Sequence, residues 1–133
     1  MSVTTIETRF PECDRMGVIH HAVYPIWYEA ARMDFLAEVG FSYTDSREYS
    51  VDPAMVDLHL SYKLPATYPE TLTIETRLLE LAPKKLKLGY VTRNSEGEVI
   101  NTAESLHIWV SGGRSYNLQE SLPEVYARFA AQL

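Results

Sequence analysis

The sequence predicts an α+β protein in which a curled, five-stranded antiparallel sheet wraps one long central helix. Three observations carry that expectation. Pro25 to Val39 is the only long segment with apolar residues at helical spacing, and they cover most of its circumference. The segments after it read as strands, divided by short breaks of the length that hairpins use. The 133 residues fit one domain, residues 1–133, and a chain of this size buries roughly two thirds of its unfolded surface.

The elements follow in order. Val3 to Arg9 alternates weakly and predicts a first strand. Residues 10 to 24 are irregular, broken by Pro11 and Gly17. The helix is expected to start at Pro25, because a missing N–H costs nothing in the first turn, and to stop at Gly40. Its apolar residues lie nearly all round, which predicts a helix that is wrapped rather than docked. Met55 to Leu64 alternates, with Val56, Leu58, Leu60, Tyr62 and Leu64 on the face expected to be buried. Leu72 to Leu81 and Leu86 to Arg93 form the next strands, turned at Pro83. Asn94 to Gly97 is a turn sequence, and Val99 to Ser111 is a long last strand rich in β-branched and aromatic residues. Pro123 to Leu133 predicts a short terminal helix over one edge. A short curled sheet keeps open edges, so a homo-oligomer is expected.

Composition narrows the function classes. Hydrophobic residues at 46% and charged residues at 23% are the fractions of a soluble globular chain. A net charge of −6 argues against nucleic-acid binding, which needs a basic face to meet phosphates. No apolar run approaches a membrane span, and the N-terminus has no signal-peptide core. The single cysteine, Cys13, excludes an internal disulfide and offers no zinc spacing, so a cytoplasmic location and no metal are expected.

The chemistry concentrates between Asp14 and Tyr24, where a carboxylate, a glycine and two histidines precede the helix. A carboxylate can act as base or nucleophile, and the free N–H groups of a helix start favour negative charge. Taken alone, this suits several hydrolases.

The spacing Asp14-x-x-Gly17-Val18-x-x-His21-x-x-Tyr24, followed by Glu29-Ala-Ala-Arg32, resembles the signature of hotdog-fold acyl-CoA thioesterases. The closest groups are the 4-hydroxybenzoyl-CoA and the Tol–Pal-associated thioesterases. Tyr62-Lys-Leu-Pro-Ala66 and Ala103-Glu-Ser-Leu-His107 resemble later segments of the same family. The resemblance implies a hotdog fold, dimers that pair sheets edge to edge, frequent tetramers (dimers of dimers) and active sites between protomers. It implies hydrolysis of an acyl-CoA or acyl-carrier-protein thioester, with coenzyme A as part of the substrate and no separate cofactor. It assigns Asp14 as the catalytic carboxylate. His21 falls where some members carry a histidine, and its backbone N–H would polarise the thioester carbonyl. His20, Val23 and Cys13 depart from the usual pattern, which bears on substrate preference.

Each residue also has a plainer reading. Asp14 would serve as a turn aspartate and Gly17 as a turn glycine, although the missing Cβ also lets a thioester approach the backbone. His20 stands between site and surface. Glu29 and Arg32, spaced i, i+3, are expected to pair with each other, and the resemblance implies as a rival reading that Glu29 is a catalytic acid, as carboxylates from this helix are in related hotdog branches. Tyr24, Trp27 and Tyr28 are core aromatics, with Tyr24 also a candidate wall of an acyl pocket. Lys84, Lys85 and Lys87 read equally as a solvated hairpin and, with Arg93 and Arg114 as further candidates, as a positive patch for coenzyme A phosphates. His59 and His107 read as core-edge or interface histidines. A hydratase or dehydratase, and a non-catalytic module that binds acyl thioesters, are the rival functions.

Overall fold

The computed structural model describes residues 1–133. Its sheet consists of β1 (Ser2–Glu7), β2 (Asp52–Tyr62), β3 (Thr71–Ala82), β4 (Lys85–Arg93) and β5 (Val99–Ser111). The spatial order is β1-β3-β4-β5-β2, every neighbour is antiparallel, and the two-residue β6 (Arg114–Ser115) folds back on the end of β5. The helix α1 (Tyr24–Val39) lies against β1 and β3 and is preceded without a break by a 3-10 turn, His21–Val23. Three smaller helices, α2 (Tyr43–Tyr49), α3 (Leu118–Ser121) and α4 (Pro123–Ala130), complete the chain.

The strands from β3 onward follow the sequence expectation within a residue at each end. β2 begins three residues earlier than expected and takes in Pro53. A proline has no N–H for the ladder, and an edge strand tolerates that. Its burial also departs from the expected pattern. Val56, Tyr62 and Leu64 are exposed, and Leu58 and Leu60 only half-buried. A bulge between Met55 and Asp57 shifts the alternation, and β2 has a neighbour on one side only. α1 likewise is buried on one side. Trp27, Tyr28, Ala31, Phe35 and Leu36 face the sheet, whereas Ile26, Ala30 and Ala37 face outward.

α2 was absent from the sequence reading, although its signal is local. Ser42 and Asp45 form a capping box, with the Asp45 N–H donating to Ser42 Oγ and the Ser42 N–H donating to Asp45 Oδ2 at 2.9 Å. One continuous core joins α1 to the concave face of the sheet through Tyr28, Phe35, Ile74, Leu88 and Ile100. At its far end Phe41, Trp109 and Phe129 pack edge to face, which docks α4.

β3 sets the distances that matter for the site. Thr71 pairs with Glu7 at one end and Ala82 with Lys85 at the other. At about 3.3 Å per residue these ends lie roughly 35 Å apart.

Candidate active site

The Asp14 segment is a tight loop held at every corner. The Asp14 N–H donates to the Val18 carbonyl at 2.8 Å, and the Gly17 N–H donates to the Asp14 carbonyl at 3.1 Å. The carboxylate Oδ1 accepts from the Met16 N–H at 2.8 Å and the Val18 N–H at 3.4 Å. A bridge between Cys13 and Ile19 closes the base. The Asp14 Oδ2 makes no hydrogen bond within the chain, so one carboxylate oxygen is anchored and the other is available. Gly17 sits at φ 84°, where a Cβ is strained, yet an added Cβ would meet nothing within 4 Å. Backbone conformation, not crowding, calls for glycine here.

His20 is a helix cap. Its Nδ1 accepts from the Ala22 N–H at 3.0 Å, and its ring stacks on His21 with centroids 4.2 Å apart. The His21 side chain is exposed and makes no hydrogen bond to Asp14. Its carbonyl accepts from the Tyr62 hydroxyl at 2.8 Å, while no group in the chain accepts from its N–H. That N–H lies at the start of the helical run and is free for a ligand.

Glu12, which the sequence reading passed over, organises this corner. It is 8% exposed. Its Oε1 accepts from the Arg9 N–H at 2.7 Å and its Oε2 from Trp27 Nε1 at 3.1 Å. Its carbonyl accepts from the His20 N–H at 2.8 Å. One carboxylate therefore ties the loop to α1. The signal available in the sequence was a glutamate three residues after Arg9, which fits a cap as well as a surface charge.

The other expected ligands divide between the two ends of the sheet. Tyr24 is buried beneath the loop, edge-on to Trp27 at 5.0 Å and Tyr62 at 5.5 Å, and burial raises its phenol pKa. Lys84 and Lys85 occupy the β3–β4 hairpin, at the far end of β3 from the loop. Lys87 is paired with Glu104 at 3.6 Å. Arg93 is held by Glu75 at 2.9 Å and by the Gly97 carbonyl at 3.1 Å. Asp14, Gly17 and His21 thus share one loop, Lys84 and Lys85 lie at the opposite end of β3, and Arg93, opposite Thr73 and so toward the Glu7 end, is engaged by Glu75. No three His, Cys, Asp or Glu side chains converge on a point that suits a metal ion.

Arg32 does not pair with Glu29, contrary to the i, i+3 expectation. Glu29 is exposed and Arg32 is buried, with its Nη1 donating to the Tyr90 hydroxyl at 2.9 Å. The helix turns them to different environments, so spacing alone does not join them. From Tyr90 a chain of contacts runs inward. Tyr90 lies 2.7 Å from Ser105 Oγ, Ser105 Oγ lies 2.7 Å from His107 Nε2, and His107 Nδ1 lies 3.1 Å from the Pro53 carbonyl. The carbonyl can only accept, so Nδ1 carries the proton and Nε2 accepts from Ser105. Ser105 then accepts from Tyr90, and Tyr90 from Arg32. His107 is 1% exposed, and burial, followed by the nearby Arg32 charge, pushes its pKa down to about 4. Arg32, Glu29 and His107 also line a cavity of about 450 Å³ between α1, α2 and the start of β2.

The chain resembles known proteins in both sequence and structure. The family model described as the thioesterase-like superfamily matches residues 8–132. YneP of Bacillus subtilis, described as a candidate acyl-CoA thioesterase, is 36% identical over 110 residues, which cover 83% of this chain and 80% of that protein. The acyl-CoA thioester hydrolase YbgC of Escherichia coli is 27% identical, over 79% of this chain and 78% of its own. The DHNA-CoA thioesterase of Staphylococcus aureus superposes with a TM-score of 0.93 at 30% identity, covering 98% of this chain and 89% of that one.

Proposed function

The chain belongs to the thioesterase-like superfamily and has its hotdog fold, so it is a thioester hydrolase, and we propose that it cleaves acyl-CoA thioesters at the Asp14 loop. The observation that carries the assignment is the pairing of a half-engaged carboxylate with an unused backbone N–H at a helix start. The thioester carbonyl oxygen would accept from the His21 N–H, aided by the helix dipole, as negative charge develops on it. Asp14 Oδ2 would take a proton from the attacking water, or attack the carbonyl carbon itself and form an anhydride that the one water then opens. In both routes the C–S bond breaks and coenzyme A leaves as the thiol, its sulfur taking the proton back from Asp14 in the first route and from solvent in the second. The Asx-turn bonds and the Glu12 contacts hold the carboxylate still, which keeps the ordering cost out of each turnover.

A homodimer through β2 belongs to this reading. β2 is an edge strand that exposes Val56, Tyr62 and the adjacent Leu64. An antiparallel pairing of two such edges sets the Tyr62 end of one copy, which holds His21, beside the Asp52 end of the other. A dimer of dimers and a cytoplasmic setting belong to the same proposal; no helix of the chain is long and apolar enough to cross a membrane.

Thiol release from an acyl-CoA panel tests the assignment. Asp14→Asn keeps an acceptor for Met16 and should stay folded while losing about 100-fold or more in kcat. Binding of acyl-CoA without thiol release would favour a non-catalytic module instead, and unchanged turnover in Asp14→Asn would remove the carboxylate from the mechanism.

A further inference from the structure

We propose that the cavity under α2 is a carboxylate-recognition pocket with Arg32 as its specificity residue, so that the preferred acyl chain ends in a second carboxylate. The identity of the attached thioester rests on the thioesterase reading; the chemistry of the pocket does not.

Arg32 carries an unbalanced charge. Arg32 is only 9% exposed. None of the chain's four ion pairs includes it, and its one hydrogen bond is from Nη1 to Tyr90. A buried guanidinium is costly unless an anion faces it. The acids nearby do not do so. Asp52 is taken by Arg47 and Ser46, and Glu29 is exposed and makes no ion pair with Arg32. Arg32 thus lines a cavity of about 450 Å³ with most of its five donors unused. The bond to Tyr90 fixes the plane of the guanidinium, and its planar fork matches a carboxylate with two parallel hydrogen bonds.

Size and position fit an acyl chain. The volume lies in the range of small-molecule pockets, and Met33 and Leu36 supply apolar wall. The cavity adjoins Asp52 and Pro53, at the start of β2. In the antiparallel β2 pairing this is the end that meets the partner's His21. An acyl group held at one copy's Asp14 loop would then reach the Arg32 of the other. Glu29 at the same cavity disfavours an anion, so its neutralisation should strengthen carboxylate binding.

The test compares adipyl-CoA with hexanoyl-CoA, matched in length and differing in the terminal carboxylate, on the full-length protein. Wild type should prefer adipyl-CoA by about tenfold or more in kcat/KM, because a site built around an unpaired donor rejects a substrate that lacks the acceptor. In Arg32→Met that ratio should fall to about one or below. Arg32→Lys keeps the charge without the fork and should be intermediate, and it serves if the methionine variant does not fold by circular dichroism. Glu29→Gln should raise the ratio. A wild-type preference for hexanoyl-CoA, or a folded Arg32→Met that keeps the preference, would overturn the proposal. Calorimetric titration with free hexanoate and 1-hexanol separates this outcome from a failure of the thioesterase reading. If neither ester is cleaved, hexanoate binding that is tighter than that of hexanol and is lost in a folded Arg32→Met still supports the pocket, and equal binding of the two refutes it.

Discussion

Acid should destabilise this protein through a single buried imidazole. The native state holds His107 neutral, with Nε2 accepting from Ser105 and Nδ1 donating to Pro53, and its pKa is about 4. In the unfolded chain a histidine titrates near 6.5. Above pH 6.5 both states are neutral and the contribution is fully present. As pH falls from 6.5 to 4 the unfolded chain takes up a proton that the native state refuses, so stability drops. Near pH 5 the slope is roughly 1.2 kcal/mol per pH unit, and the total loss is about 3 kcal/mol once pH passes below 4. Asp52 acts lower on the scale. The Arg47 guanidinium, with Ser46, holds its carboxyl below the usual range, so its contribution is lost only as pH falls below about 4. The assay is urea unfolding followed by tryptophan fluorescence at pH 7.5, 6.0 and 5.0, at fixed protein concentration so that any dimerisation contributes equally. His107→Gln retains an amide in the chain and cannot titrate, so its stability should be flatter across this range. Equal slopes in wild type and variant would refute the argument, and with it the tautomer inferred from the Pro53 carbonyl.

Other measurements reach different parts of the structure. Glu12→Ala strands the Trp27 indole N–H and the Arg9 N–H, so it should cost about 1–3 kcal/mol in urea unfolding and lower kcat by loosening the Asp14 loop. A variant as stable and as active as wild type would remove Glu12 from that role. Val56→Asp places a charge on the exposed β2 edge and should shift the protein toward monomer in sedimentation velocity. An unchanged oligomer would move the interface to another surface. The Lys84→Ala/Lys85→Ala double variant should raise KM at low salt only if a second copy carries the hairpin to the coenzyme A phosphates. Unchanged KM leaves those lysines as a solvated turn.

Several features were legible from the chain because their causes are local. Proline in the first turn and glycine at φ 95° bracket α1, and strand alternation with turn residues placed β3, β4 and β5 within a residue at each end. Asp14 and Gly17 form a turn whose hydrogen bonds all lie within five residues, so their association could be read directly. α2 was equally local and was passed over despite its Ser42–Asp45 box. The pairing of Glu29 with Arg32 failed for a different reason. Spacing gives proximity along a helix, but burial decides which of the two meets solvent, and Tyr90 arrives from a strand 58 residues away.

The sequence by itself determined the order of the five main strands and the long helix, the ends of that helix, the turn that presents Asp14, and the family to which these belong. Those properties depend on residues close together in the chain or on a motif carried intact along it. Only the tertiary structure decided that Glu12 fastens the loop to Trp27, that the lysine hairpin lies at the opposite end of β3, and that Arg32 is buried beside a cavity without a counter-ion. Each of those facts depends on which distant segments the sheet register brings together and on what water can no longer reach. Neither quantity is written in local spacing.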